Sequence, residues 1–133
     1  MSLKNHLDVY CKAFNARSPE AALAGFAEYA VFEMPLLGQR LFGRNEIAQG
    51  LKRIFDLTET VQLDVAAVTE SDSVLIAEGN LRAKLHRDAT ASAMPAAITL
   101  EAKDAKITRL SIYLDARPYR LWTDGPIFAS AQP

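Results

Sequence analysis

Apolar residues at Leu3, Leu7, Tyr10, Cys11 and Phe14 recur at three- and four-residue spacing, which predicts a helix with one apolar face from Leu3 onward. The pattern breaks between Asn15 and Ser18. Ser18-Pro19-Glu20 then reads as a helix start: serine can cap, proline suits the first helical position, and a carboxylate favours the positive end. A second helix is predicted over 19–28, with Leu23 and Phe26 inward. Residues 30–34 read as a short strand that Pro35 limits. Residues 38–43 read as a turn or second short strand, with Leu41 and Phe42 between the glycines. A third helix is predicted over 45–57, built on Ile47, Leu51, Ile54 and Phe55. Gly50 weakens it unless something packs closely there.

After Thr58 the period changes to two. Val61, Leu63, Val65 and Ala67 alternate with Gln62, Asp64 and Ala66. Glu70-Ser71-Asp72-Ser73 is a turn signal, and residues 74–85 form a long strand. Its one face carries Leu75, Ala77, Gly79, Leu81, Ala83 and Leu85, and the other Glu78, Asn80, Arg82 and Lys84. A polar connection over 86–92 leads to strands over 97–103 and 106–115, joined through Asp104-Ala105 as a hairpin. Residues 116–133 form an irregular tail that holds Arg117, Pro118, Tyr119, Trp122 and Phe128. Consecutive strands with short turns make an antiparallel meander, and three early amphipathic helices need one sheet face to cover. The expectation is an α+β domain with its helices on one side of a curved sheet.

At 133 residues the chain is one domain, 1–133, by the usual prior. Fifteen Lys and Arg stand against sixteen Asp and Glu, so no basic excess exists to neutralise a phosphate backbone, and nucleic acid is not expected as a partner. No apolar run exceeds four residues, far short of a bilayer span, and the first twelve residues hold no secretory apolar core. A cytoplasmic protein is expected. Cys11 is the single cysteine, which excludes an intrachain disulfide. His6 and His86 stand apart without metal-ligand spacing, and no Gly-rich phosphate loop or Gly-x-Ser-x-Gly elbow occurs. Neither metal nor cofactor is expected.

Three stretches carry a resemblance: Tyr10-Cys11-Lys12-Ala13-Phe14-Asn15-Ala16, the run from Leu23 to Phe32, and Gly43-Arg44-Asn45-Glu46-Ile47. The closing strand, Lys106-Ile107-Thr108-Arg109 to Tyr113-Leu114-Asp115, completes it. With the element order, they make the chain resemble the nuclear transport factor 2-like superfamily, in its ketosteroid isomerase and SnoaL-like branches, from about Leu3 to Asp115. The resemblance implies a cone: a strongly curved antiparallel sheet wrapped around three N-terminal helices, with an apolar pocket at the wide end. It also implies a homodimer through the outer sheet face. One departure is local, because the family often places glycine in the last hairpin where this chain has Asp104-Ala105-Lys106. Alanine tolerates positive φ poorly, so the turn type is left open there.

Ketosteroid isomerases use a carboxylate base and an oxyanion hole made from a tyrosine and a protonated aspartic acid. Tyr10 falls at the tyrosine position, twenty-five residues before Pro35. The base would precede that proline, and Met34 stands there. The second acid would fall near Ile98 or Thr99. Steroid isomerase chemistry of that kind is therefore not expected. Tyr10 is either a core residue whose hydroxyl reaches a rim or backbone partner, or a hydrogen-bond donor to a pocket. Glu33, of opposite parity to Met34, points away from whatever Met34 faces. Asp115 matches the acid of the family's closing Tyr-x-Asp and is the second candidate catalytic residue, although its parity and strand-end place favour a turn or cap role. Glu78, Asn80 and Arg82 could orient a polar substrate group if inward, but charged strand faces usually meet solvent. Cys11, inward beside Tyr10, reads as a small hydrophobe.

The pocket is expected to be lined by Phe14, Phe26, Met34, Phe55, Leu110, Ile112 and Leu114, and to take a small hydrophobic molecule. Three functions fit: a SnoaL-like isomerase, cyclase or hydrolase with Tyr10 as donor, a non-catalytic ligand-binding module, and a dimerisation module whose sheet face matters most.

Overall fold

The structure, a computed structural model, describes residues 1–114. Asp115 and the tail residues Arg117, Pro118, Tyr119, Trp122 and Phe128 lie outside the described residues.

Helix α1 (Leu3–Asn15) starts where Ser2 accepts the Asn5 amide hydrogen, and α2 (Pro19–Ala24) where Ser18 accepts that of Ala21. Each serine thereby satisfies one of the amide groups that a helix start leaves open. Helix α2 is shorter than the predicted 19–28. It ends at Gly25, and strand β1 (Phe26–Met34) begins at once rather than at residue 30. The run Phe26 to Phe32 is rich in aromatic and branched residues, and its pairing with the last strand outweighs the helical reading. A 3₁₀ turn (Pro35–Leu37) leads to β2 (Gln39–Phe42) and α3 (Arg44–Leu57). Gly50 is buried on α3 with Ile47, Leu51 and Ile54, the close-packed position that makes a mid-helix glycine tolerable.

Strands β3 (Thr58–Glu70), β4 (Leu75–Leu85), β5 (Ser92–Lys103) and β6 (Lys106–Leu114) form the expected meander. Strand β5 starts five residues earlier than the predicted 97, with Pro95 inside it. Within β5, Pro95 is the Cα partner of Asn80 on β4. The β5–β6 turn has positive φ at both Asp104 and Ala105, the signature of a type I′ hairpin.

The sheet order is β2-β1-β6-β5-β4-β3. Four of its contacts are antiparallel, but β1 and β6 run parallel, so the expected all-antiparallel sheet is corrected to a mixed, curved and unclosed one. The cause is connectivity. Helix α3 carries the chain from β2 to the far edge, and the meander returns to β1 with its final strand in the same direction as β1. Register shifts that leave an extra residue in β3 and in β6 supply bends, as bulges do. One shift, between Val65 and Ala67, faces Gly79 on β4, where a Cβ would lie 1.9 Å from the Asp64 carbonyl oxygen.

Two arginines fasten the helices. Arg44 donates to the carbonyls of Leu23 and Phe26, and Arg17 to those of Phe55 and Thr58 while lying over the Phe55 ring. Satisfied in this way, both are structural rather than ligand-binding cations.

Candidate functional site

Tyr10 comes from the middle of α1 and is 2% exposed. Phe14 stacks on its ring at 5.8 Å, Phe26 meets it edge-on at 5.8 Å, and Phe32 lies at 6.5 Å. Phe55 of α3 extends the cluster, 5.3 Å from Phe14. The helical spacing of Tyr10 and Phe14 puts both on the sheet-facing side, while Phe26 and Phe32 reach them from β1. At the centre of this apolar set the Tyr10 hydroxyl is buried and has no hydrogen-bond partner. Burial, and then the nearby Cys11, pushes its pKa well above the ordinary tyrosine value, so the hydroxyl keeps its proton.

Met34, Leu110, Ile112 and Leu114 are buried on the same side of the sheet. The seven residues expected to line a pocket therefore all face inward. At the position of the isomerase base stands the Met34 thioether. At that of the second acid stands Ile98, fully buried, while its neighbour Thr99 is only partly buried. Glu33 faces the opposite way from Met34. Its Oε1 accepts hydrogen bonds from Ser111 Oγ at 2.8 Å and from Arg109 Nη2 at 3.0 Å. Partial desolvation pushes the Glu33 carboxyl upward, but the bonds from Ser111 and Arg109 outweigh it and hold the pKa below the usual glutamate value.

Glu78, Asn80 and Arg82 alternate with the buried Ala77, Leu81 and Ala83, and all three are exposed on the outer sheet face. Arg82 is paired there with Asp64 at 2.7 Å. This strand parity does not bring them to the inner face with Tyr10. Cys11 is partly buried, and desolvation followed by Asp8 and Asp64 pushes its thiol up to about 12, so it is not a ready nucleophile. Among the described residues, no group of three His, Cys, Asp or Glu side chains could hold a metal ion. Likewise, no helix among them is long and apolar enough to cross a membrane.

One inward polar group was missed from the sequence. Gln39 on β2 is 9% exposed and is the Cα partner of Met34. Its signal was the alternation Gln39, Arg40, Leu41, Phe42, in which Leu41 fixes Gln39 to the buried side. The inner face thus combines an aromatic cluster, an apolar sheet floor, one protonated hydroxyl and one carboxamide.

The architecture is that of the nuclear transport factor 2-like fold, which solved structures share. A protein of ketosteroid isomerase-like fold from Catenulispora acidiphila, solved with trimethylamine, has a TM-score of 0.83 at 17% identity over 95% of this chain and 97% of that one. A proposed polyketide cyclase from Xanthomonas campestris pv. campestris has a TM-score of 0.78 at 26% identity, covering 91% and 96%. Another proposed polyketide cyclase, from Pseudomonas putida KT2440, has 0.77 at 21% identity, covering 93% and 97%. The model of the SnoaL-like domain matches residues 7–110, and the chain belongs to that family. No curated protein matches the sequence.

Proposed function

We propose that the inner face holds a small, uncharged, mostly apolar molecule that presents a carbonyl or phenolic oxygen to the Tyr10 hydroxyl. The observation that carries this reading is the hydroxyl itself, fully buried among Phe14, Phe26 and Phe32 with no partner. A buried donor left unpaired costs about 1–3 kcal/mol. A ligand acceptor removes that cost. The likeness to two proposed polyketide cyclases supports a substrate whose reaction builds negative charge on an oxygen. A protonated tyrosine in an apolar site stabilises such an oxyanion. Tyr10 is the catalytic candidate in this reading, and Asp115 lies outside the described residues.

The test is a pair of titrations with a panel of aromatic ketones and phenols, on the parent chain and on Tyr10→Phe, read by thermal shift and calorimetry. Ligands with an oxygen acceptor should bind the parent at least about tenfold more tightly than Tyr10→Phe, the 1.4 kcal/mol worth of one hydrogen bond. Equal affinity for the two chains overturns the role of Tyr10. Turnover of any bound member separates an enzyme from a carrier.

We further propose that the chain forms a homodimer through the outer sheet face. Ile76 is 49% exposed there, and the adjoining Thr99 hydroxyl is shielded without a partner. Light scattering of the parent and of Ile76→Lys tests this. A parent that stays monomeric at micromolar concentration rejects it.

A further inference from the structure

A cleft of about 220 Å³ lies between α1, α2 and the start of β6. Val9, Ala21, Ala22, Gly25 and Ile107 give it apolar walls. Its titratable lining is unusual in sign. His6 and Lys106 face it together with the protonated Tyr10, and no carboxylate lines it. His6 is 4% exposed, and its imidazole has no hydrogen-bond partner among the described residues. Lys106 already donates to the Ala24 carbonyl at 2.9 Å, which fixes its ammonium at the cleft.

We infer that this cleft binds a small monocarboxylic acid, its apolar body between α1 and α2 and its carboxylate against His6 and Lys106. The small volume, room for roughly seven water-sized atoms, limits the body to a short chain or a single ring. The cationic lining selects the carboxylate, since an ammonium head would meet Lys106 without a counter-charge. Carboxylates do occur near His6, but they lie across it. Glu70, Asp72 and Asp104 line a separate polar cleft with Lys103, and Glu70 already accepts the Lys4 amide hydrogen. Burial, then the chain's amino terminus and Lys106, hold the His6 pKa below its ordinary value in the free protein. A bound carboxylate opposes the two charge effects, so occupancy is readable at the imidazole.

The chain has only two histidines, so proton NMR of the ring C2 hydrogens follows both, with His86→Gln assigning the signals. Three probes are titrated against the full chain: hexanoate, acetate and hexylammonium. Hexanoate should raise the His6 pKa by about one unit at saturation, which corresponds to a tenfold preference for the imidazolium form. Acetate and hexylammonium should leave it unchanged, because each lacks one half of the required ligand. Ala21→Trp, a change at an exposed position on the cleft wall, should abolish the hexanoate shift. A hexanoate shift no larger than that of acetate, or one that persists in Ala21→Trp, overturns the inference.

Discussion

Asn15, the last residue of α1, hydrogen-bonds to both backbone polar groups of Leu63 on the edge strand β3. Its Nδ2 donates to the Leu63 carbonyl at 3.0 Å, and its Oδ1 accepts the Leu63 amide hydrogen at 2.8 Å. The carboxamide acts as a one-residue strand on this edge of the described sheet. Such an edge can pair with another chain unless something covers it.

Asn15→Ala should therefore destabilise the fold by about 1–3 kcal/mol, because two partly buried backbone groups lose their partner. Urea unfolding measures this as a lower midpoint at unchanged slope. Asn15→Asp should not rescue it, since a carboxylate cannot donate to the Leu63 carbonyl.

Gly79→Ala should be more damaging than its size suggests. The added Cβ would sit 1.9 Å from the Asp64 carbonyl oxygen, and backbone cannot yield as a flexible side chain can. A loss of about 3 kcal/mol, or failure to fold, is expected. Gly25→Ala is the control: the nearest atom is Ile107 Cδ1 at 3.9 Å, and the φ of −82° suits alanine. Comparing the two melting temperatures isolates the clash.

Ala105→Gly should stabilise the protein. Ala105 holds φ at 64° in the β5–β6 hairpin, a left-handed conformation that costs an L-residue about 1–2 kcal/mol. Glycine removes that strain but frees the unfolded chain, so a net gain of about 0.5–1 kcal/mol remains. A lower unfolding midpoint would contradict it.

Glu33 gives a pH signature. Its carboxyl pKa is held below the usual value of 4.5 in the folded chain, so it binds fewer protons there than when unfolded. The stabilisation is present above the unfolded pKa and is lost as pH falls through the folded one. From about pH 5 downward, the parent should lose stability more steeply than Glu33→Gln. Urea midpoints taken between neutral and acid pH check this, and parallel curves would remove Glu33 from the acid transition.

Much of the fold was legible because its signals are local. Ser18 caps as a serine before a helix does, and the alternation from Leu75 to Leu85 places Glu78 and Arg82 outward as strand parity requires. The errors arose where distant partners decide. The helical spacing of Leu23 and Phe26 ran the second helix too far, because the pairing of Phe26 with Ile107 spans eighty-one residues and leaves no local mark. The parallel β1–β6 contact was hidden for the same reason. At the inner face, aromatic residues announced themselves by spacing. Gln39 did not, because a polar residue on a four-residue strand reads as surface until the neighbouring leucine is known to be buried.

The parallel seam between β1 and β6 also dictates when the protein can assemble. Strands β3 to β6 join neighbours in the chain, so that block can organise as it is made. The opening segment cannot, because β1, once paired with β2, finds its other sheet neighbour only in the last described strand. Helices α1 and α2 and the first hairpin must therefore wait, with their aromatic residues uncovered, until synthesis has passed Leu114. A nascent chain that stops short of β6 exposes the very cluster around Tyr10 that the finished molecule conceals, and chaperone demand should peak there.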